Sequence, residues 1–235
     1  MDVQIAVAKI RKYATGSSGD TVEVVERPQG GVSVVMADGQ TSGRGAKWIS
    51  TLVVRKVIAL LAEGVRDGAA ARAASDSLFT EREGKVSSTL NIVSVDRQTQ
   101  TLVITRNNPT PAILAYGDQI RLLDEPSFPV GVRRGTRPVI TEIPVEPEVT
   151  VVVYTDGLTY AGDRTGNRMD VLTCVKALLD EEPPSPQFIA DSLLEHAYHL
   201  DDKRPVDDIS VAVVRVSEHG GDEVRRMFVR IPFNS

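Results

Sequence analysis

Apolar residues recur at every second position in the opening stretch, as Val3, Ile5 and Val7, with Lys9, Arg11 and Lys12 where the run ends. That alternation predicts a strand. A loop, Gly16-Ser17-Ser18-Gly19, brings the chain to Asp20 and a second expected strand over 21–26. Pro28-Gln29-Gly30-Gly31 then turns it into a third over 32–37, so the opening reads as a three-stranded meander. From residue 43 to 63 the period becomes helical, through Ile49, Leu52, Val53, Val57, Leu60 and Leu61. Trp48, Val54 and Ile58 make further faces of that helix apolar, which predicts burial on several sides or contact with a partner. An Ala-rich helix follows over 65–78.

Strands are expected next over 86–95, 101–106, 112–116 and 120–123, then a loop over 126–138, then a pair of strands over 139–145 and 149–155 around Pro147. A helix is expected over 169–179, and Ser185-Pro186 signals the cap and first turn of another, with Ile189, Leu193, Ala197 and Leu200 on one face. A strand over 208–216 and an edge strand over 227–231 complete the reading. Runs of strands and of helices segregated in this way favour an α+β fold, with two antiparallel sheets face to face and helix pairs outside. We read a single domain over 1–235, with 217–235 as an extension of the core.

Composition changes this picture little. The net charge of −5 supplies no electrostatic reason to bind nucleic acid or an anionic membrane. Glu63, Arg66 and Asp67 close the longest apolar run short of a membrane span, and no signal-peptide core precedes the first strand. The single cysteine, Cys174, excludes an internal disulfide framework and reads as core filler in a helix. Cytoplasm is the expected location. His196, His199 and His219 all lie away from the acidic strand ends.

The chemistry is carried by acids at the ends of apolar runs. Val34-Val35-Met36-Ala37 ends in Asp38-Gly39, Val151-Val152-Val153-Tyr154-Thr155 ends in Asp156-Gly157, and Asp207-Asp208 opens the last apolar run. Each Asp-Gly pair alone is explained as a turn. Together they suggest that Asp20, Asp38, Asp156 and Asp207 or Asp208 meet at one end of the sandwich, where buried carboxylates need a cation. A hard, all-oxygen set favours Mg²⁺ or Mn²⁺ over zinc, and two such ions suit hydrolysis of a phosphate ester. Alternation along the last strand groups Asp207 with Ile209, Val211 and Val213, and Asp208 with Ser210, Ala212 and Val214. The bulkier set is expected between the sheets, which selects Asp207 as the acid lining the cleft.

These residues resemble the metal-dependent serine/threonine phosphatases of the protein phosphatase 2C-like superfamily, in particular the bacterial SpoIIE-type branch with its stand-alone RsbX-like members. Gly19-Asp20 resembles the first acidic motif of that family. Asp38-Gly39 with Ser42-Gly43 and Ala46 resembles its Asp-Gly-x-Gly-Ser-Gly-x-x-Ala, and Ser88-Thr89-Leu90 its central Ala-Thr-Leu strand. Pro129-Val130-Gly131 resembles the Pro-Leu-Gly loop, Tyr154-Thr155-Asp156-Gly157 the Tyr-Ser/Thr-Asp-Gly motif, and Asp207-Asp208-Ile209-Ser210 the closing Asp-Asp-Ile-Thr. The matches run in family order from about residue 16 to 216. The resemblance implies a four-layer αββα sandwich around two Mn²⁺ or Mg²⁺ ions. It implies Asp38 as the bridging ligand, with the Gly39 carbonyl, Asp20, Asp156 and Asp207 as the other ligands. It further implies a phosphoserine or phosphothreonine substrate on a regulatory STAS-type protein of a stress or sigma-factor pathway, and a monomer or weak dimer.

Three departures stand out. Thr41 occupies a position where the family has Gly, Asn108-Pro109-Thr110-Pro111 replaces a His-Pro-Pro-Pro segment, and the phosphate-gripping Arg motif of the eukaryotic branch is absent. Lys9, Arg11, Lys12 or Arg44 are the candidates to take over that grip, against the plainer reading of each as a solvated charge. A haloacid-dehalogenase-type phosphatase needs an acid two residues beyond Asp38, where Gln40 stands. A non-catalytic metal-binding or partner-binding module of the same fold is the alternative function.

Overall fold

The computed structural model describes residues 1–180 and 184–232. Ten strands form two five-stranded antiparallel sheets. In chain order they are β1 (Asp2–Ile10), β2 (Asp20–Glu26), β3 (Gly31–Asp38), β4 (Leu90–Asp96), β5 (Thr101–Asn107), β6 (Ala112–Tyr116), β7 (Gln119–Leu123), β8 (Val139–Pro144), β9 (Thr150–Tyr154) and β10 (Ile209–Ser217). The first sheet has the order β1-β10-β9-β6-β7 and the second β2-β3-β4-β5-β8.

Helices α1 (Gly43–Ala62) and α2 (Asp67–Arg82) cover the second sheet. Val53, Val54, Val57 and Leu61 of α1 pack there with Ala70, Ala74 and Leu78 of α2 on Val35, Ala37, Leu90 and Ile92. The short α3 (Asp156–Tyr160), α4 (Val171–Asp180) and α5 (Pro186–Leu200) cover the first sheet. There Val175, Ile189, Leu193 and Ala197 meet Val152, Tyr154, Ile209, Val211 and Val213. Between the sheets lies a third cluster, with Val34, Met36, Val93, Ile104, Leu114, Val151, Val153, Ala212 and Val214. The layers are therefore helix, sheet, sheet, helix. Ser185 caps α5 as its sequence promises, its hydroxyl accepting a hydrogen bond from the Phe188 amide at 3.1 Å.

Four expectations fail. The opening meander does not form, because β1 pairs with β10 in the first sheet while β2 and β3 start the second. The strands around Pro147 do not pair either: β8 joins β5 and β9 joins β10 and β6. Residues 227–231 are not a strand. The face assignment of the last strand is inverted, since Ile209, Val211 and Val213 face the helices and Ala212 and Val214 lie between the sheets. Nearly every residue of β10 is buried, on both faces, so side-chain bulk carried no information about which face was which. The sequence reading also missed α3.

The departure at Thr41 has a structural meaning. Its φ is +82°, a left-handed conformation natural to Gly, so the turn keeps a glycine-like backbone with a β-branched residue in it. The second departure is stabilised from below. The buried Arg106 donates to the carbonyls of Asn108 and Thr110 at 3.2 and 3.3 Å and of Glu125 at 2.9 Å, and Asn108 closes its own turn by accepting from the Thr110 amide.

Candidate metal centre

Asp20 opens β2 and Asp38 closes β3, and the antiparallel register sets these two residues directly opposite each other. The Asp20 side chain is fully buried. Its Oδ2 reaches across to the first sheet, accepting from the Ser210 hydroxyl at 2.6 Å and the Thr155 hydroxyl at 3.1 Å. Among the described residues its Oδ1 has no hydrogen-bond partner. Burial raises the Asp20 carboxyl to about 6, against the hydroxyl hydrogen bonds that favour its charged form. Asp38 is pushed up to about 9, first by burial and then by the charges of Asp20 and Asp156, with Asp207 adding to them. Asp156, the first residue of α3, is also raised, by burial and then by Asp207.

The structure thus gathers Asp20, Asp38, Asp156 and Asp207 into one electrostatic cluster at the end of the sandwich. Among the described residues no three acidic, His or Cys side chains form a ready-made metal shell. What the cluster offers is a carboxylate oxygen unpartnered among the described residues, opposed carboxyls held up first by burial, and only oxygen donors. That set fits a hard divalent cation.

Three glycines permit the convergence. A Cβ on Gly39 would stand 2.0 Å from the Ala46 carbonyl oxygen of α1, and one on Gly19 would stand 2.8 Å from the Ala46 Cβ. A Cβ on Gly157 would stand 2.1 Å from the Asp208 carbonyl oxygen. At Gly39 and Gly157 two backbones cross almost in contact, and at Gly19 the backbone presses against the Ala46 side chain.

The turn bearing Asp38 is clamped from the other side. Its carbonyl accepts from the Ser88 hydroxyl at 2.7 Å and the Thr89 amide at 2.9 Å. Gly39 bridges to Ser88, and Ser88 bridges in turn to Val130, making a short ladder of two bridges. The Ser88-Thr89-Leu90 and Pro129-Val130-Gly131 segments therefore hold the turn that bears Asp38. Among the described residues the Gly39 carbonyl accepts no hydrogen bond, which leaves it open toward a ligand.

The two closing acids part company. Asp208 is buried and fully used, its Oδ1 accepting from the Lys12 amide at 2.8 Å and its Oδ2 from the Gly19 amide at 2.7 Å. It fastens the β1–β2 loop. The Asp207 side chain is 42% exposed, among the described residues accepts only from the Asp208 amide, and stands 4.0 Å from the Lys12 ammonium. The preference for Asp207 over Asp208 therefore rests on hydrogen bonding, since the face reasoning behind it was inverted.

Of the basic candidates, Lys9 stands at the cluster with its ammonium 2.5 Å from the Asp20 carbonyl. Burial and the neighbouring Lys47 lower its affinity for the proton. Lys47 was missed in the sequence: its ammonium meets the same carbonyl at 2.8 Å and the Thr21 hydroxyl at 2.9 Å. Its position between the buried Ala46 and the buried Ile49 and Ser50 was the available signal. Thr155 and Ser210 were missed as well, although both lie inside the acidic motifs. Arg11 is tied to the Gly16 carbonyl at 3.3 Å, and Arg44 is exposed on the first turn of α1. A shallow hollow elsewhere, lined by Asp118, Gln119, Ile120, Arg121, Lys176 and Asp180, brings two acids together with Arg121 and Lys176.

The profile of the family described as stage II sporulation protein E (SpoIIE) matches residues 28–217. The stage II sporulation protein E of Bacillus subtilis (strain 168) is 21% identical over 202 residues, covering 86% of this chain and 24% of that protein. The chain thus spans about a quarter of that relative's length. Among solved structures, the PP2C phosphatase domain of SpoIIE from Bacillus subtilis, with a fragment of its regulatory domain, superposes with a TM-score of 0.79 at 20% identity, covering 94% of this chain and 64% of that one. RsbX in complex with magnesium gives 0.71 at 16% identity, covering 92% and 96%. The catalytic domain of the serine/threonine phosphatase PstP with two manganese ions gives 0.68 at 16%, covering 92% and 99%.

Proposed function

The chain belongs to the SpoIIE family of PP2C-like phosphatases, and on that premise we propose that it is a metal-dependent serine/threonine phosphatase acting on a phosphorylated regulatory protein. The observation that carries this reading is the opposed Asp20–Asp38 pair, with one buried carboxylate oxygen unpartnered and Asp156 and Asp207 close enough to raise its charge cost. Asp20, Asp38, the Gly39 carbonyl, Asp156 and Asp207 would hold two Mn²⁺ or Mg²⁺ ions. When bound, such ions supply charge neutralisation for the phosphate and a water that ionises near neutral pH.

The protein's own residues do the rest. Ser210 and Thr155 orient the Asp20 carboxylate by donating to its Oδ2, leaving Oδ1 to face the cluster. The Gly39–Ser88–Val130 ladder fixes the turn that presents Asp38 and the Gly39 carbonyl. Lys9 and Lys47 hold the Asp20 backbone and keep positive charge beside the acids. A phosphoserine or phosphothreonine of a STAS-type protein in a stress or sigma-factor pathway is the substrate class that the family resemblance supports, with the cytoplasm as its setting.

The test is phosphate release from 4-nitrophenyl phosphate and from a phosphothreonine peptide, after chelation and after adding Mn²⁺. Activity that needs the ion, and is lost in Asp38→Asn, is the expected result. Full turnover after exhaustive chelation would overturn the proposal, and Mn²⁺ binding without any phosphate release would assign the fold to a binding module.

A further inference from the structure

Three segments lead away from the Gly39–Ser88–Val130 ladder that clamps the Asp38 turn and meet one another as a rim beside it, with Arg82 over Trp48 and Gly84 against the Val132 carbonyl. They are the first turns of α1, the end of α2 with its following turn, and the loop 126–138. The stretches 40–48 and 126–138 contain Arg44, Lys47, Arg133, Arg134 and Arg137 and no acid, in a chain whose net charge is −5. Glu81 and Glu83 flank Arg82 on the third segment, and Glu83 is taken up by Lys85 at 2.7 Å. The same rim exposes apolar side chains: Trp48 is 42% exposed, Phe128 55% and Val132 51%.

Charge and aromatic surface are combined here in a repeated figure. The Arg82 guanidinium lies 4.0 Å over the Trp48 ring, Arg133 4.6 Å over Phe128 and Arg134 5.6 Å over Phe79. Among the described residues none of these three guanidiniums has a carboxylate within 4.0 Å. An arginine stacked on a ring keeps the edge of its planar fork free, and that edge matches a carboxylate in two-point contact.

The loop that carries two of these arginines is held down along its length. Gly131 donates its amide to the Ser75 hydroxyl at 3.1 Å, Gly135 donates to Asp76 at 2.8 Å, and the Thr136 hydroxyl donates to the Arg133 carbonyl at 2.9 Å. Val130 is fully buried. Binding a partner therefore requires little further ordering of this loop.

We propose that this rim is a docking surface for an acidic segment flanking the phosphorylated residue of a protein substrate. The proposal rests on the phosphatase reading above and adds to it the charge of the partner. Complementary charge selects the occupant, because the uncompensated guanidiniums beside the acid cluster are matched by carboxylates.

Two phosphothreonine peptides of equal length, one with Asp/Glu flanks and one with Lys/Arg flanks, test it on the full chain with Mn²⁺. The expected preference for the acidic peptide is about tenfold in kcat/KM, as two or three exposed ion pairs worth a few-fold each combine. It is expected in KM and to shrink as salt is raised. Combining Arg82→Glu, Arg133→Glu and Arg134→Glu should reverse the preference. Turnover of 4-nitrophenyl phosphate, which is too small to reach the rim, should change by less than about twofold, within the range of a neutral surface substitution.

Equal kcat/KM for the two peptides on the wild type would overturn the proposal, as would an unchanged preference in the triple variant. Parallel losses on both peptides and the aryl phosphate would place the arginines in the stability of the centre and overturn it too. So would a triple variant that alters only the oligomeric state in light scattering, which would give the face to a second copy. If the wild type hydrolyses no phosphate ester at all, the phosphatase reading fails instead. Docking is then read from fluorescence anisotropy of the two peptides, where equal affinity overturns it.

Discussion

Asp38→Asn should make the metal-free protein more stable while abolishing its response to Mn²⁺. The unfolded chain releases the Asp38 proton near 3.8 and the folded chain near 9. Between those values the folded state holds an extra proton, so its stability falls as pH rises and levels off above about 9. At about pH 7, keeping that proton costs up to ~4 kcal/mol, at about 1.4 kcal/mol for each pH unit above the ordinary carboxyl value. Asp20 shares the burden of the same repulsion, and Asn loses some of the packing, so a net gain of about 1–2 kcal/mol is expected. For a domain of this size that corresponds to a rise in Tm of roughly 2–8 °C.

Thermal unfolding in EDTA at pH 5.5, 7.0 and 8.5 measures it, with the gain of Asp38→Asn over wild type widening at each step. Addition of Mn²⁺ should then raise the Tm of the wild type and leave the variant unmoved. A variant less stable than wild type at the highest pH, or a gain that does not depend on pH, would refute the assignment of Asp38 to a charge-frustrated cluster.

Other outcomes follow from single contacts. Asp207→Asn should weaken Mn²⁺ binding in isothermal titration with little loss of stability. Asp208→Asn should cost about 2–3 kcal/mol in urea unfolding, because an amide nitrogen would face one of the two backbone donors that Asp208 now satisfies. Thr41→Gly should stabilise the fold by about 1 kcal/mol by removing a β-branched residue from a left-handed backbone, and a lower urea midpoint would count against the strain. Val54→Lys should unfold the chain, since Val54 is wholly buried, whereas Trp48→Lys should fold and alter only turnover of a protein substrate. Circular dichroism with peptide and aryl phosphate assays separates the two.

The local elements were legible because each carried its own punctuation: alternation in β1, helical spacing in α1, Ser185-Pro186 before α5. The acids were legible for a related reason, since a carboxylate abutting four apolar residues breaks the pattern visibly. Sheet membership was not. Nothing in β1, which ends at Ile10, distinguishes a partner that begins at Asp20 from one that begins at Ile209, and both β2 and β10 offer a matching apolar face. Alternation told which residues of β10 share a face, yet with both faces buried it gave no sign of which one meets the helices. Lys47 was hidden by its type, because a lysine on a helix reads as solvated until the carbonyl it reaches is known. The same holds for Ser210 and Thr155, whose hydroxyls matter only once Asp20 is seen between them.

The pairing of the first strand with the last has a consequence in time. All five strands of the second sheet come from residues 20–144, so that sheet can close while the ribosome is still adding the rest. The first strand must wait, because the strand that separates it from β9 is β10. Until then it is an open edge, and Lys9, whose amine later turns inward to Asp20, is the kind of charge that keeps such an edge from sticking to its neighbours. The Ser210 hydroxyl that orients Asp20 arrives with that same late strand. Partly made chains therefore lack the contact that orients Asp20, and completion of the acid cluster should wait on a slow, long-range closure.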